Sequence, residues 1–319
     1  MSIEEKNFDV VILGGGPAGL SAAMYAARGA VSVAIVDISM FGGQPSNYLE
    51  IENYPAFPLI QGFELAEKLE EHADKFGVEK YPLQEIQSVD LTSNPKVITT
   101  LEYKFNAKSI IIATGAQSKK LGVKGEDEYK GRGVSYCAVC DAAFYTGKVV
   151  AVVGGGNAAV EEACYLTRFA EKVYLIHRRN ELRADKIVQQ RAFENKKLEF
   201  IWDSGVKEII GEDTVKKLII ENYKTGNISE LDVNGIFPYI GFTPNVENIN
   251  GQVEQDANGF IVTNNLMQTS VDGVFATGDV RNTPLRQVVT AVADGAIAAV
   301  NAVKYIETVS EQKNFVKNF

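Results

Sequence analysis

The stretch VVILGGGPAGLSAAMYAAR, residues 10–28, decides the fold. Val10–Leu13 is an apolar run of strand length that enters Gly14-Gly15-Gly16-Pro17-Ala18-Gly19, and the small-residue run that follows to Arg28 has helical character. Strand, G-x-G-x-x-G and helix together form a dinucleotide unit. The glycines let backbone approach a pyrophosphate at a helix N-terminus, where unpaired N–H groups favour an anion. A second strand, Val31–Val36, ends in Asp37, an acid placed for a ribose hydroxyl.

The pattern recurs. Val149–Val153 reads as a strand, Gly154-Gly155-Gly156-Asn157-Ala158-Ala159 has the G-x-G-x-x-A form, and the next strand, Lys172–Ile176, ends in His177-Arg178-Arg179. Those residues lie at the same offset from Gly154 as Asp37 from Gly14. Asp37 suits a free ribose hydroxyl and would repel a 2′-phosphate, whereas Arg178 and Arg179 can pair with that phosphate. The first site therefore reads as FAD and the second as NADPH. A solvated basic edge is the plainer reading of the second run, and Arg183, one helical turn beyond Arg179, weighs against it.

A chain of 319 residues is long for one core and implies two domains. Its net charge of −9, from 41 acidic against 32 basic side chains, makes nucleic acid and anionic membrane poor partners. The polar N-terminus does not read as a signal peptide, and the expected location is cytoplasmic. The Ala/Val-rich helix expected from Pro284 to about Tyr305 is interrupted by Gln287 and Asp294 and reads as a buried interface helix rather than a membrane span.

Between the glycine loops lie an amphipathic stretch, Gly62–Phe76, with Leu65, Leu69, Ala73 and Phe76 on one face, and a strand ending in Ala113-Thr114-Gly115. Far downstream a similar strand ends in Ala276-Thr277-Gly278-Asp279. The two endings flank the second nucleotide unit. The simplest architecture is α/β, with two Rossmann-like domains, the NADPH domain inserted into a discontinuous FAD domain. The expected segments are 1–118 and 245–319 for FAD and 119–244 for NADPH, with the two connectors as candidate hinges.

Cys137-Ala138-Val139-Cys140-Asp141 stands just before the second unit's first strand. Three cysteines do not make a disulfide framework, so a close pair is metal-binding or catalytic. A structural zinc needs four ligands, and beyond the pair only Cys164, His72 and His177 remain, none in a second close pair. The dithiol is thus read as redox-active. At the start of a helical turn its thiolate would be favoured, and Asp141 either serves as general acid or merely satisfies a helix dipole. Two nucleotides and a dithiol make a chain of carriers from NADPH through flavin to a disulfide.

Taken together, Gly14-x-Gly16-x-x-Gly19, Gly42-Gly43-Gln44, Glu52-Asn53-Tyr54-Pro55, Ala113-Thr114-Gly115, Cys137-Ala-Val-Cys140-Asp141, the second glycine loop, His177-Arg178-Arg179 with Arg183, and Gly278-Asp279-Val280 with Arg286-Gln287 resemble the low-molecular-weight thioredoxin reductases of bacteria. The resemblance spans nearly the whole chain. It implies FAD contacts from Gln44, Asn53, Thr114, Asp279, Arg286 and Gln287, joined by Val288, and 2′-phosphate contacts from His177, Arg178, Arg179 and Arg183. It further implies a homodimer, a thioredoxin-like protein as acceptor, rotation of the NADPH domain between half-reactions, and Cys137 as the attacking thiol with Cys140 over the flavin. Three stretches depart from the pattern: Asn157-Ala158 where Asp-Ser is common, Pro45-Ser46-Asn47 after Gln44, and Val288 after Gln287. A ferredoxin-fed relative and an FAD dithiol oxidase are the enzymatic rivals, both disfavoured by the basic quartet; a non-catalytic redox sensor is the rival from another class. Cys164, on an apolar helix face, reads as a core thiol, and His72 as structural or solvent-facing.

Overall fold

The computed structural model describes residues 3–48 and 50–317, and not the side chains of Cys140 and 312–317. Two compact units divide the chain, Met1–Gln117 with Thr243–Phe319, and Ser118–Phe242.

The first unit opens with β1 (Glu4–Leu13), α1 (Pro17–Arg28), β2 (Val33–Val36), α2 (Gly62–Asp74) and β3 (Glu79–Tyr81), then β4 (Ile86–Asp90), β5 (Lys96–Thr100) and β6 (Tyr103–Ile112). Its sheet runs β3-β2-β1-β6-β5-β4, parallel from β3 to β6 and antiparallel beyond. β2 is buried along its whole length, the pattern of a parallel strand covered on both faces.

The strand β7 (Ala116–Ser118) leads into the second unit, which comprises α3 (Ala138–Asp141), β8 (Val149–Gly154), α4 (Asn157–Leu166), β9 (Lys172–Ile176), α5 (Lys186–Glu194), β10 (Leu198–Ile201), the antiparallel β11 (Ser204–Gly211), β12 (Val215–Asn222) and β13 (Ile228–Asp232), and β14 (Gly235–Tyr239). Here β10-β9-β8-β14 form a parallel sheet. β15 (Phe242–Pro244) returns alongside β7, so the two crossings form a two-stranded sheet of their own.

The tail completes the first unit with β16 (Val274–Ala276) and α6 (Val288–Lys317). β6 is long enough to pair β5 through Lys104–Ala107 and β16 through Ile110–Ile112. Distant segments of the chain thereby share one sheet. α6 lies on α1 through small residues: Ala18, Ala22, Ala23 and Ala26 share a core with Ala291, Ala298, Ala299 and Ala302. A Cβ on Gly295 would overlap the carbonyl oxygen of Ala18, so the two backbones meet directly. The stretch Val288–Glu311 of α6 is long and apolar enough to cross a membrane by length and composition, and its alanine face is the one packed here.

Three expected boundaries move. The second strand starts at Val33, not Val31, because Ala30 takes a positive φ and Ser32 is tied to the Asp9 carboxylate through its amide and hydroxyl. α2 stops at Asp74, leaving Phe76 outside the helix and exposed beside His72 and Arg28. The last helix begins at Val288 rather than near Pro284, since the amide of Gln287 is bonded to Thr290 Oγ1, and with no Gly or Pro to stop it the helix continues past Tyr305.

Candidate functional site

In the first unit, Gly14 turns the chain from β1 at φ +106°, and a Cβ there would overlap the Ala113 carbonyl; a Cβ on Gly19 would overlap Gly14. Only glycine allows this approach of loop, helix and Ala113-Thr114-Gly115. Gly16 N-caps α1 in an extended conformation with no side-chain cap, Pro17 and Ala18 begin the helix, and no acid stands in its first turn. With no side-chain cap and no acid in its first turn, that helix end fits a pyrophosphate. Asp37 accepts from the Gly15 amide at 2.5 Å and from Ser39, fixing the end of β2 against the loop. The Gly42 amide bonds to the Gly15 carbonyl, and a Cβ on Gly43 would press on Gly16, so Gly42-Gly43-Gln44 closes over the same loop.

The other expected FAD residues gather within this unit. Gln44 Nε2 donates to the Ala116 carbonyl at 2.7 Å, and Asn53 Nδ2 to Gln287 Oε1 at 3.0 Å. Thr114 Oγ1 donates to the Asn245 carbonyl while Asn245 Nδ2 donates back to the Thr114 carbonyl. Burial pushes the Asp279 carboxyl up, an effect that Arg286 opposes and Asp294 reinforces. Arg286 lies 4.0 Å over the Phe260 ring, and its buried Nε, like the buried Thr277 Oγ1, has no partner among the described residues. Those orphaned polar atoms beside Gly278-Asp279 fit a polar ligand there. Val288 is the first residue of α6.

The second unit repeats the design. A Cβ on Gly154 would meet Tyr239 and Ala159, while Gly156, the uncapped N-cap of α4, faces open space. Asn157 and Ala158 open α4, and Asn157 is bonded to Asp185. Arg178, Arg179 and Arg183 are exposed. His177 is buried where the three arginines are exposed: it is only 3% exposed, its ring fills the space where a Gly155 Cβ would stand, and burial followed by the charges of Arg183 and Arg178 holds it below its ordinary pKa. Its ring lies against the second glycine loop.

The dithiol belongs to this same unit. Cys137 is disulfide-bonded and half-buried, Cys164 is a free, half-buried thiol whose pKa burial raises, and the Cys140 side chain lies outside the described residues. Hydrogen bonds from hydroxyls and amides fix the segment. The Cys137 amide donates to Ser135 Oγ at 3.1 Å, Ser135 Oγ donates to the Cys137 carbonyl, and the Ala138 amide donates to the Tyr239 hydroxyl at 2.9 Å. Cys137 directly precedes α3, and Ala138 and Ala142 pack into one core with Ala159, Val160 and Ala163 of α4. Asp141 is half-buried where α3 gives way to a 3-10 turn that it does not cap with its side chain.

Sequence reading missed Asn245, Tyr239 and Asp185, and took Asp294 only as an interruption, although it accepts from Arg281 at 2.8 Å and from the Gly278 amide. A lone acid in an apolar helix was the one available signal for Asp294.

A family model described as pyridine nucleotide-disulphide oxidoreductase matches residues 8–295. The chain is similar to a thioredoxin reductase of Bacillus subtilis, 46% identical over 98% of this chain and 99% of that one. Among solved structures it resembles thioredoxin reductase of Lactococcus lactis, at 46% identity and TM-score 0.92 over 94% of this chain and 99% of that one. It also resembles thioredoxin reductase of T. acidophilum, at 35% identity and TM-score 0.88 over 95% and 99%.

Proposed function

The chain belongs to the pyridine nucleotide-disulphide oxidoreductase family, and on that premise we propose that it reduces the disulfide of thioredoxin or a thioredoxin-like protein at the expense of NADPH. The observation that carries the reading is the coincidence, within one unit, of a disulfide-bonded Cys137 and a second glycine loop flanked by three exposed arginines. FAD and NADPH, when bound, supply the two-electron hydride chemistry that no side chain provides.

The chain's own residues divide the work. Gly14, Gly16, Pro17, Ala18, Gly19 and the α1 amides hold the FAD pyrophosphate, with Asp37 at the ribose side and Gln44, Asn53, Ala113-Thr114-Gly115, Gly278-Asp279, Arg286, Gln287 and Val288 around the remainder. Gly154, Gly156 and Asn157-Ala158-Ala159 hold the NADPH pyrophosphate, and Arg178, Arg179 and Arg183 its 2′-phosphate, while His177 props the loop. Once Cys137 and Cys140 are reduced, the Cys137 thiolate attacks the acceptor disulfide and forms a mixed disulfide. Cys140 then attacks Cys137, restoring the internal disulfide and releasing the acceptor as a dithiol, its leaving thiolate protonated with Asp141 as the nearby acid.

Because the dithiol and the nicotinamide site ride on one unit, they address the flavin in turn, by rotation about the β7 and β15 crossings. The same reading makes the protein a soluble, cytoplasmic homodimer with no nucleic-acid or membrane partner. Cys140→Ser should abolish turnover with oxidised thioredoxin while NADPH still bleaches the flavin. Retained turnover in that variant would remove the dithiol from the mechanism.

A further inference from the structure

The arginine-bearing segment between β9 and α5 has no helix or strand of its own, so specific bonds must set its geometry. Four hydrogen bonds tie it to the second glycine loop. The Gly155 carbonyl accepts from the Arg183 amide at 2.7 Å and from the Ala184 amide at 3.1 Å. Asn157 and Asp185 pair both ways: Asn157 Nδ2 donates to Asp185 Oδ2, and the Asp185 amide donates to Asn157 Oδ1, each at 2.7 Å. Leu182 and Ala184 are buried on either side of Arg183, which therefore faces outward.

Asp185 occupies the N-cap of α5, where an aspartate ordinarily accepts from the helix's own first amides, yet it makes no side-chain cap bond there. Its carboxylate is committed to Asn157 instead. We propose that Asp185 is a positioning residue for the 2′-phosphate site, clamping Arg183 to the phosphate loop through Asn157 and so contributing to selection of NADPH over NADH.

The physical reason is separation. The distance between the pyrophosphate and the 2′-phosphate is fixed by the covalent nucleotide, so a site that holds both groups gains when loop and arginines are held in register beforehand. Loosening the clamp leaves the loop intact and costs only ligands that carry the second phosphate. It also gives Asn157 a role: a carboxylate at that position would repel Asp185, whereas the amide bonds it in both directions.

The inference rests on the NADPH reading of this loop. The test uses flavin-loaded wild type, Asp185→Ala, Asn157→Ala, the double variant and Asp185→Asn, with kcat and KM for NADPH and NADH and calorimetric binding of NADP+ and NAD+. Asp185→Ala should lower NADPH-over-NADH selectivity about three- to ten-fold, the worth of one hydrogen bond, through KM and NADP+ affinity rather than kcat. The double variant should be no worse than Asn157→Ala alone, since Asn157→Ala already removes the one bond that Asp185→Ala removes. Asp185→Asn keeps an acceptor for Asn157 and should restore selectivity. In Asp185→Ala, equal loss for both nucleotides or undiminished selectivity would overturn the clamp alone. A wild-type protein that binds NADP+ no better than NAD+ would overturn the NADPH reading and the clamp with it.

Discussion

Glu162 on α4 is only 5% exposed, and its buried Oε2 has no partner among the described residues. Desolvation, then the neighbouring Glu161, pushes its carboxyl up to about 7. A carboxyl whose folded pKa lies above its unfolded value of 4.5 binds a proton more tightly in the native state. Its contribution is therefore fully present below that value and lost as pH rises through about 7. The stake is of order 3 kcal/mol, from about 1.4 kcal/mol for each unit of pKa. Glu162→Gln cannot ionise, so its stability relative to wild type should rise by up to about that amount between pH 5 and pH 8, read from denaturant midpoints at both values. A relative stability that does not move with pH would show that Glu162 has an ordinary pKa.

Among the elements, α1 against α6 tests the packing argument most simply. In an unobstructed helix, Gly→Ala stabilises by about 1 kcal/mol. At Gly295 the added methyl would run into the Ala18 carbonyl, which is backbone and cannot swing aside. Overpacking of this kind costs about 1–3 kcal/mol and should win. Gly295→Ala is therefore expected to unfold at lower denaturant than wild type; a higher midpoint would mean that the helices yield. The same close approach shows what a sequence can disclose. Gly14, Gly19 and Gly154 were legible because the constraint that demands glycine travels with a local strand–loop–helix pattern. Asn157 with Asp185, Asn245 with Thr114 and Asp294 with Gly278 were not, because each pairs residues of separate elements through ordinary polar side chains. His177 illustrates the limit within a motif: its neighbours Arg178 and Arg179 reach solvent, while its own ring turns inward under Gly155.

At the scale of the whole molecule, the division at Gln117/Ser118 and Phe242/Thr243 assigns one dinucleotide loop to each unit and the dithiol to the second. The tail returns to the first unit through β16 on β6, so the second unit is held by two crossings rather than one. Two paired crossings are compatible with the rotation proposed above, in which the second unit presents first one group and then another. The central claim is that electrons enter through the second glycine loop. An anaerobic titration of the flavin-loaded protein with NADPH, following the oxidised-flavin absorbance with NADH in a parallel cuvette, tests it most directly. Bleaching at near-stoichiometric NADPH and a much weaker response to NADH are expected. A flavin that dithionite bleaches but neither nucleotide does would contradict that claim.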